Sequence, residues 1–340
     1  MIESKLPTNR VEELLRQIEN VRIGVLGDMC LDLYWTADMK RSRLSRETPH
    51  FPLPVVRETA SPGGAGNVAA SVAALCVRSL VPLAVIGADW RGALLADSFR
   101  ELGIDGAGLI RSASRVTPAY CKPMRAGISN VVYEDPRIDF ENYESLSAVD
   151  EALLLRALDE AAKNIDVLAV SDQLLFGCVT PAVRARLAEL SAAGLTVVVD
   201  SRDRIAEYRN VIVKPNELEA ALTVGAAQQQ AFPALYEPIA RALREKTGRP
   251  AIVTLGENGA LWAEGDDVFH APSPVVSPPI DIVGAGDTFL AALCCALAAK
   301  APGWEAIAFA NLAAAVTVQK IGTTGSASPA EIREQSRKMI

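Results

Sequence analysis

An α/β fold, with a mainly parallel central sheet flanked by helices, is what this chain predicts, and three observations carry the prediction. Short β-branched runs alternate with Ala- and Leu-rich stretches of helical length, the rhythm of βαβ units. Runs such as Val197-Val198-Val199 are apolar without alternation, as strands buried on both faces must be. Most of the strands end in polar groups: Gly27-Asp28, Ser171-Asp172, Asp200 with Arg202, Lys214-Pro215-Asn216, and Gly256. Ligands of open α/β sheets bind beyond the carboxyl ends of the strands, so chemistry is expected there.

The first 20 residues are charged and carry an apolar stripe, Val11, Leu14, Leu15 and Ile18, at helical spacing. Strands are expected at Arg22–Leu26, Leu80–Ile86, Val167–Val170, Thr196–Val199, Val211–Val213 and Ala251–Leu255. Helices are expected at Ala65–Leu75, Gly92–Leu102, Asp150–Lys163, Pro181–Ala193, Glu217–Val224, Pro233–Thr247, Thr288–Lys300 and Trp304–Gln319. Two regions break the rhythm. Residues 33–60 are polar and basic in the middle (Lys40, Arg41, Arg43, Arg46), then Pro-rich and alternating through Phe51–Val56. Residues 117–142 hold short extended patches split by Gly127 and Asp135-Pro136. Unstructured loops this long are uncommon unless functional, and both regions suit small antiparallel strands forming a lid. The expectation is a single domain over residues 1–340, with that lid projecting from it.

Composition narrows the function. Half of the 340 residues are apolar and 22% are charged, as in a soluble globular enzyme. A net charge of −7, without a dense Lys/Arg block, argues against a nucleic-acid partner. The longest apolar run, Phe289–Ala299, spans 11 residues, too short for a bilayer, and no leader is visible. Six cysteines without a Cys-x-x-Cys pair read as reduced core residues of a cytoplasmic protein. Only two histidines occur, His50 and His270, both near prolines and expected in loops. A His-rich metal site or a Ser-His-Asp triad is thereby excluded.

The richest segment is Asp281-Ile282-Val283-Gly284-Ala285-Gly286-Asp287-Thr288-Phe289, which runs into an apolar helix. Small residues at 284–286 admit a close ligand, and unpartnered first-turn N–H groups with the helix dipole make an anion site. Asp287 at its rim repels phosphate, which makes sense if the carboxylate serves a hydroxyl that attacks the phosphate. On local evidence alone, an N-cap role for Asp287 is the simpler explanation, and the rest of the chain must decide. Pro62-Gly63-Gly64-Ala65-Gly66-Asn67 opens another helix, with Asn67 able to donate to and accept from hydroxyls. Gly64-x-Gly66-x-x-Ala69 also fits the dinucleotide fingerprint, although Glu58–Pro62 separates it from any expected strand. Asn216 and Glu219 lie one turn apart at a helix start, a pair suited to water-mediated Mg²⁺ or to a capping box. Thr254 and Gly256 follow a strand, where they bind phosphates or merely form a hairpin to Ala260–Ala263. No P-loop or protein-kinase signature is present.

Together these segments resemble the ribokinase/PfkB family of carbohydrate kinases, in the family's order, over about residues 22–332. Gly63–Asn67 looks like its N-terminal signature, Asn216-x-x-Glu219 its Asn-x-x-Glu motif, and Asp281–Asp287 its C-terminal signature. The resemblance implies a ribokinase-like three-layer fold with a β-strand lid and transfer of the γ-phosphoryl group of ATP, with Mg²⁺, to a sugar hydroxyl. Carried over, Asp287 is the catalytic base and Gly284, Ala285 and Gly286 form the anion hole. A helix N-terminus should keep that carboxylate ionised and weakly basic. Asp32, Gly63, Gly64 and Asn67 would bind sugar hydroxyls, and Asn216 and Glu219 would organise Mg²⁺ through water. Thr254 and Gly256 would meet the nucleotide phosphates, and Asn311 would lie near the adenine. Asp281, with Gly322–Ser326, marks a monovalent-cation (K⁺) loop. A homodimer through the lid is also implied, with Phe51–Val56 pairing between subunits.

Within the family the likeness is greatest to the heptose-phosphate kinase branch, the kinase part of ADP-heptose synthases. It rests on Gly27–Trp35, Pro54-Val55-Val56, Arg137–Glu141 and Gly322-Thr323-Thr324. The chain departs from that branch at Asp172–Gly177, at Asp200-Ser201-Arg202, and at Lys122-Pro123-Met124, with Arg125 one place later. Lys122, Asp172 and Arg202 are the expected substrate contacts, and Lys122, Arg125 and Arg202 are the cations expected to face a sugar phosphate. Other sugars and nucleosides stay open as substrates. From other classes, so do an NAD-dependent oxidoreductase and a catalytically silent sugar-binding protein.

Overall fold

The computed structural model describes residues 1–3, 6–322 and 325–338. The first third of the chain runs β1 (Ile2–Glu3), α1 (Thr8–Ile18), β2 (Arg22–Gly27), β3 (Met29–Asp38), β4 (Val55–Gly64), α2 (Ala65–Ala74), β5 (Ser79–Gly87) and α3 (Trp90–Glu101). The middle adds β6 (Leu109–Ser112), β7 (Ala119–Ala126), β8 (Tyr133–Glu134), β9 (Ile138–Phe140), α4 (Ala148–Ala162), β10 (Val167–Asp172), α5 (Pro181–Ala192), β11 (Thr196–Ser201) and β12 (Ile212–Val213). Then follow α6 (Glu217–Val224), α7 (Pro233–Thr247), β13 (Ala251–Thr254), β14 (Ala260–Glu264), β15 (Asp267–Ala271), α8 (Ala285–Ala298), α9 (Gly303–Thr317) and α10 (Pro329–Arg337).

Ten strands form one sheet in the order β1-β15-β14-β13-β12-β11-β10-β2-β5-β6, parallel except at β13–β14 and β14–β15. Alternation inside its apolar strands sends side chains into two cores. From β10, Val167 and Ala169 pack with α2, α8 and α9. Leu168 and Val170 pack on the opposite face with α4, α5 and α7. This period of two explains why such strands read as continuous apolar runs. Among the described residues no helix is long and apolar enough to cross a membrane.

The two irregular regions form a second, five-stranded sheet, β4-β3-β7-β8 with β9 on β7. Its strands start earlier and end later than expected, because β3 leaves β2 at Asp28 and β4 continues to Gly64. Nor is it wholly antiparallel: β3 pairs with β7 in parallel, Asp32 opposite Tyr120. Glu58–Pro62 is thus strand rather than an intervening loop, and it leads straight into α2. That strand belongs to the small sheet and is antiparallel to β3, so Gly64–Ala69 is no βαβ dinucleotide turn.

Two smaller expectations also change. His270 lies on β15, its Nε2 2.8 Å from the Asn258 carbonyl oxygen, rather than in a loop. Cys76 is exposed, whereas the other five cysteines are buried. Strand β6, the second arm of the β14–β15 hairpin and helix α10 had no strong sequence signal of their own.

Candidate active site

The site assembles where the two sheets meet. At the carboxyl end of β2, the Asp28 carbonyl accepts the Ala65 N–H at 3.0 Å and so ties β3 to the start of α2. Gly64 makes that junction with φ 55° and ψ −129°. A Cβ there would sit 2.5 Å from the Asp28 oxygen, so only glycine serves. At Gly63 a Cβ would come 2.7 Å from Asp32 Oδ2, so its absence leaves room for that carboxylate.

Asn67, buried in the first turn of α2, donates from Nδ2 to Asp287 Oδ2 at 2.7 Å. One turn on, Ser71 Oγ meets Thr288 Oγ1 at 3.3 Å, and Thr317 Oγ1 reaches the same hydroxyl at 3.1 Å. These contacts sit between buried helix faces and set the register of α2 against α8. Asp287 therefore points at the sheet junction, beside the Gly63–Asn67 turn.

Helix α8 begins three residues before the expected Thr288. Gly284, at φ 79°, is the residue that caps it, and Asp287 occupies the third helical position instead of the cap. The anion hole is correspondingly narrower than expected. The Ala285 N–H donates to the Ile282 carbonyl at 3.2 Å, leaving the N–H groups of Gly286 and Asp287 without an acceptor among the described residues. A second correction concerns charge. Burial, then the nearby carboxylates Asp200 and Asp32, push the Asp287 carboxyl up to about 6, against the pull of Asn67 and Lys214. Desolvation outweighs the helix terminus, so Asp287 is a stronger base than the sequence implies.

On the sugar side, burial raises Asp32, while Lys122 and Arg137 draw it back. Lys122 Nζ lies 3.8 Å from Asp32 Oδ1 and donates to the Tyr34 hydroxyl at 2.9 Å. Arg137 lies over the Tyr120 ring, 4.4 Å from its centroid, and is bidentate to Asp139 at 2.6 and 2.7 Å. Arg202 is exposed, and its charge is felt by both Tyr120 and Glu219. Alternation along β7 puts Arg125 on the face opposite Lys122, where it pairs with Asp135 at 2.6 Å.

Asp172 is not a substrate contact. It is fully buried and bonded to the Arg204 guanidinium, to Ser201 Oγ at 2.8 Å and to the Tyr208 hydroxyl at 2.7 Å. Its oxygens are consumed inside the protein.

On the nucleotide side, Asn216 and Glu219 form a full capping box. Asn216 Oδ1 accepts from both Leu218 and Glu219 N–H at 2.9 Å, so its oxygen already carries two hydrogen bonds of the helix start. Glu219 Oε2 accepts the Asn216 N–H at 2.8 Å, leaving Oε1 open. Burial, with Asp200 adding to it, lifts Glu219 to about 7 despite the hydrogen bond from Asn216 and the charges of Lys214 and Arg202. Thr254 bridges to Asn216, and Gly256 follows in an exposed turn. Asn311 is buried and donates to the Ala271 carbonyl at 2.8 Å, which holds α9 against the end of β15. Asp281 accepts the Val283 and Gly322 N–H groups, one on each oxygen at 3.0 Å. Thr323 and Thr324 of the expected cation loop lie outside the described residues.

Two residues of this site were not among the expected contacts. Lys214 is 3% exposed and pairs with Asp200 at 3.0 Å, with Glu219 and Asp287 also acting on its charge. A lysine ending an apolar strand is the signal that could have found it. Arg137 is brought to Asp32 only by the pairing of β9 with β7.

Known proteins resemble this chain over most of its length. The profile of the pfkB family carbohydrate kinases matches residues 30–331. The bifunctional protein HldE of Trichlorobacter lovleyi is 33% identical over 327 residues, covering 95% of this chain and 64% of that protein. HldE of a Caulobacter species is 35% identical over 318 residues, covering 92% of this chain and 62% of its own length. The chain thus spans somewhat under two thirds of the length of these relatives. In fold it is similar to Arabidopsis thaliana ribokinase complexed with ribose and ATP, with a TM-score of 0.68, 19% identity, and coverage of 94% of this chain and 99% of the other. Escherichia coli phosphofructokinase-2 in complex with fructose-6-phosphate gives a TM-score of 0.68 at 22% identity, with the same coverage of both chains.

Proposed function

This chain belongs to the pfkB family of carbohydrate kinases and is a sugar kinase; from that premise we propose that its acceptor is a sugar already carrying a phosphate. The first candidate is D-glycero-D-manno-heptose 7-phosphate, phosphorylated at its 1-hydroxyl. One observation carries this reading: the charges of Lys122 and Arg137 act on Asp32, and those of Arg137 and Arg202 on Tyr120, which brings three cations to the sugar side. The residue types suit a phosphate, which guanidinium and ammonium groups bind by charge-assisted hydrogen bonds. The resemblance to the heptose-phosphate branch supplies the specific sugar.

In this reading the small sheet is the lid, and Asp32, Asn67 and the Gly63-Gly64 turn hold the sugar hydroxyls. Asp287 orients the attacking hydroxyl and takes its proton as the oxygen–phosphorus bond forms. The bond to the bridging oxygen breaks and its electron pair leaves with ADP. The Gly286 and Asp287 N–H groups, at the positive end of α8, stabilise the transferring oxygens. Among the described residues no cluster of three His, Cys, Asp or Glu could hold a metal directly. Glu219 Oε1 fits one water of a hydrated Mg²⁺, an ion that keeps most of its waters. Mg²⁺ bound with ATP would supply neutralising charge to the phosphates. Asp281 spends both oxygens on backbone N–H groups, and we assign it to bracing two loops rather than to K⁺.

The deciding experiment is ADP release with ATP-Mg²⁺ over a panel of sugars and their phosphates. A phosphorylated acceptor is expected to give the highest kcat/KM, and Arg137→Gln should raise its KM about tenfold or more. Equal use of neutral sugars would overturn the phosphate reading. No turnover at all would favour a silent binding protein.

We also assign the lid edge to a homodimer. Among the described residues strand β4 is unpaired on one side and exposes Val55 and Val56, with Phe51 63% exposed just before it. Light scattering should give a dimer for the native chain and a monomer for Val56→Asp. A native monomer at micromolar concentration would exclude the assignment.

A further inference from the structure

Asp28 stands where β2 passes into β3, four residues before Asp32, and it is buried. Its N–H donates to the Ser171 carbonyl of β10 at 3.0 Å, and its carbonyl accepts the Ala65 N–H of α2. Its carboxylate reaches a third segment, the turn that follows β10. Oδ2 accepts the Gln173 and Leu174 N–H groups at 2.9 and 2.8 Å, and Oδ1 accepts the Cys178 N–H at 2.7 Å. A Cβ on Gly177 would lie 2.2 Å from Oδ1 and 2.4 Å from Oδ2, so this glycine makes room for the carboxylate. Carbonyls of the same turn go to two guanidinium groups, that of Leu174 to Arg204 at 2.7 Å and that of Phe176 to Arg115. Both guanidinium groups also feel the charge of Asp28. Leu175, between those two carbonyls in sequence, is 77% exposed. Buried charge is a costly way to hold a surface turn, since loops ordinarily keep some freedom. The neighbours of the turn supply the reason. The Asp172 carbonyl accepts the Arg202 N–H at 3.1 Å, and the charge of Arg202 acts on Tyr120 in the small sheet.

From this geometry we propose that Asp28 is a positioning residue of the acceptor cleft: its carboxylate pins residues 173–178 as a fixed wall, in register with Asp32 and with the Gly63–Asn67 turn. The proposal rests on the phosphotransfer reading above. Asp28 touches no reacting atom and acts through the segments that it holds at one point. These are β3, which carries Asp32, α2, which carries Asn67, and the turn that begins at Gln173 beside Arg202. A cleft whose walls are fixed beforehand loses little further freedom when the sugar enters. Among the described residues the hydrogen bonds of Asp28 reach none of Glu219, Gly256 and Gly286, so the nucleotide side is independent of this clamp.

The test applies two readouts to Asp28→Asn, whose Nδ2 would face an N–H donor. Chymotrypsin cleavage between residues 174 and 177, mapped by mass spectrometry without substrate, should quicken about ten- to a hundredfold, because losing a hydrogen bond to a charged group favours local opening. Cleavage elsewhere should keep its native rate. With D-glycero-D-manno-heptose 7-phosphate as acceptor, KM should rise about tenfold or more while kcat stays within about threefold. Calorimetric binding of the β,γ-imido analogue of ATP with Mg²⁺ should stay within about twofold. Gly177→Ala, which keeps Asp28 and crowds its oxygens, should show the same pattern, and it decides the matter if Asp28→Asn does not fold. An unopened turn, a native acceptor KM, or equal losses for acceptor and nucleotide would overturn the proposal. A native chain that phosphorylates no sugar would overturn the cleft role together with the kinase reading, while the cleavage result still decides the clamp by itself.

Discussion

Replacing Asp287 with Asn will lower kcat by about a thousandfold, the usual worth of a positioned general base, and leave the affinity for ATP analogues near the native value. It will also raise the melting temperature at pH 8. The sign follows from burial. Asp287 has a folded pKa of about 6 against an ordinary value of 3.8. A carboxyl raised in this way stabilises the fold while protonated, below about pH 4, and loses that contribution as the pH climbs through 6. At pH 8 the native chain carries the full cost of the buried charge, bounded at about 3 kcal/mol, whereas Asn carries none. The gain in melting temperature should vanish at pH 4. In the native enzyme kcat should fall on acidification below about pH 7, with a limb shared between Asp287 and Glu219, whose pKa is about 7. Near-native turnover by Asp287→Asn, or a variant no more stable than the native chain at pH 8, would count against this account of the site.

Arg204→Met is expected to be the most destabilising single change, at about 3–5 kcal/mol in urea unfolding at neutral pH. Asp172 is 0% exposed, and the guanidinium is its charge partner. Ser201 and Tyr208 still donate to it, but neither neutralises it. Removing Arg204 strands an ionised carboxylate in the core, whereas Asp172→Asn/Arg204→Met removes both charges and should recover most of the loss. A stability cost below about 1 kcal/mol, with a selective rise in sugar KM, would return Asp172 to the substrate site.

The contrast between these two aspartates shows how far reading the chain could go. Asp172 closes strand β10 and Asp287 stands in the first turn of α8, so each lies at the end of a regular element. Helix boundaries such as Glu217–Val224 and Pro233–Thr247 were legible to the residue, because capping and periodicity are local. Six strands of the main sheet, β2, β5, β10, β11, β12 and β13, were legible for the same reason, through β-branched runs ending in polar residues. The small sheet was legible as extended structure only. Its parallel β3–β7 pairing joins residues about 88 positions apart, as in Asp32 opposite Tyr120, and no local pattern encodes that register.

What the sequence determined by itself is the family, the layered fold and the identity of the carboxylate at the start of α8, since ordered motifs and hydrophobic periodicity depend on neighbours along the chain. Only the tertiary structure decided how each group is used. It placed Asp287 against Asn67, raised its pKa instead of lowering it, and sealed Asp172 behind Arg204. It closed Asn216 into its capping box and turned Lys214 and Arg137 toward the site. Protonation and partner choice depend on desolvation and on charges brought together across hundreds of residues. Those quantities exist only once the chain has folded.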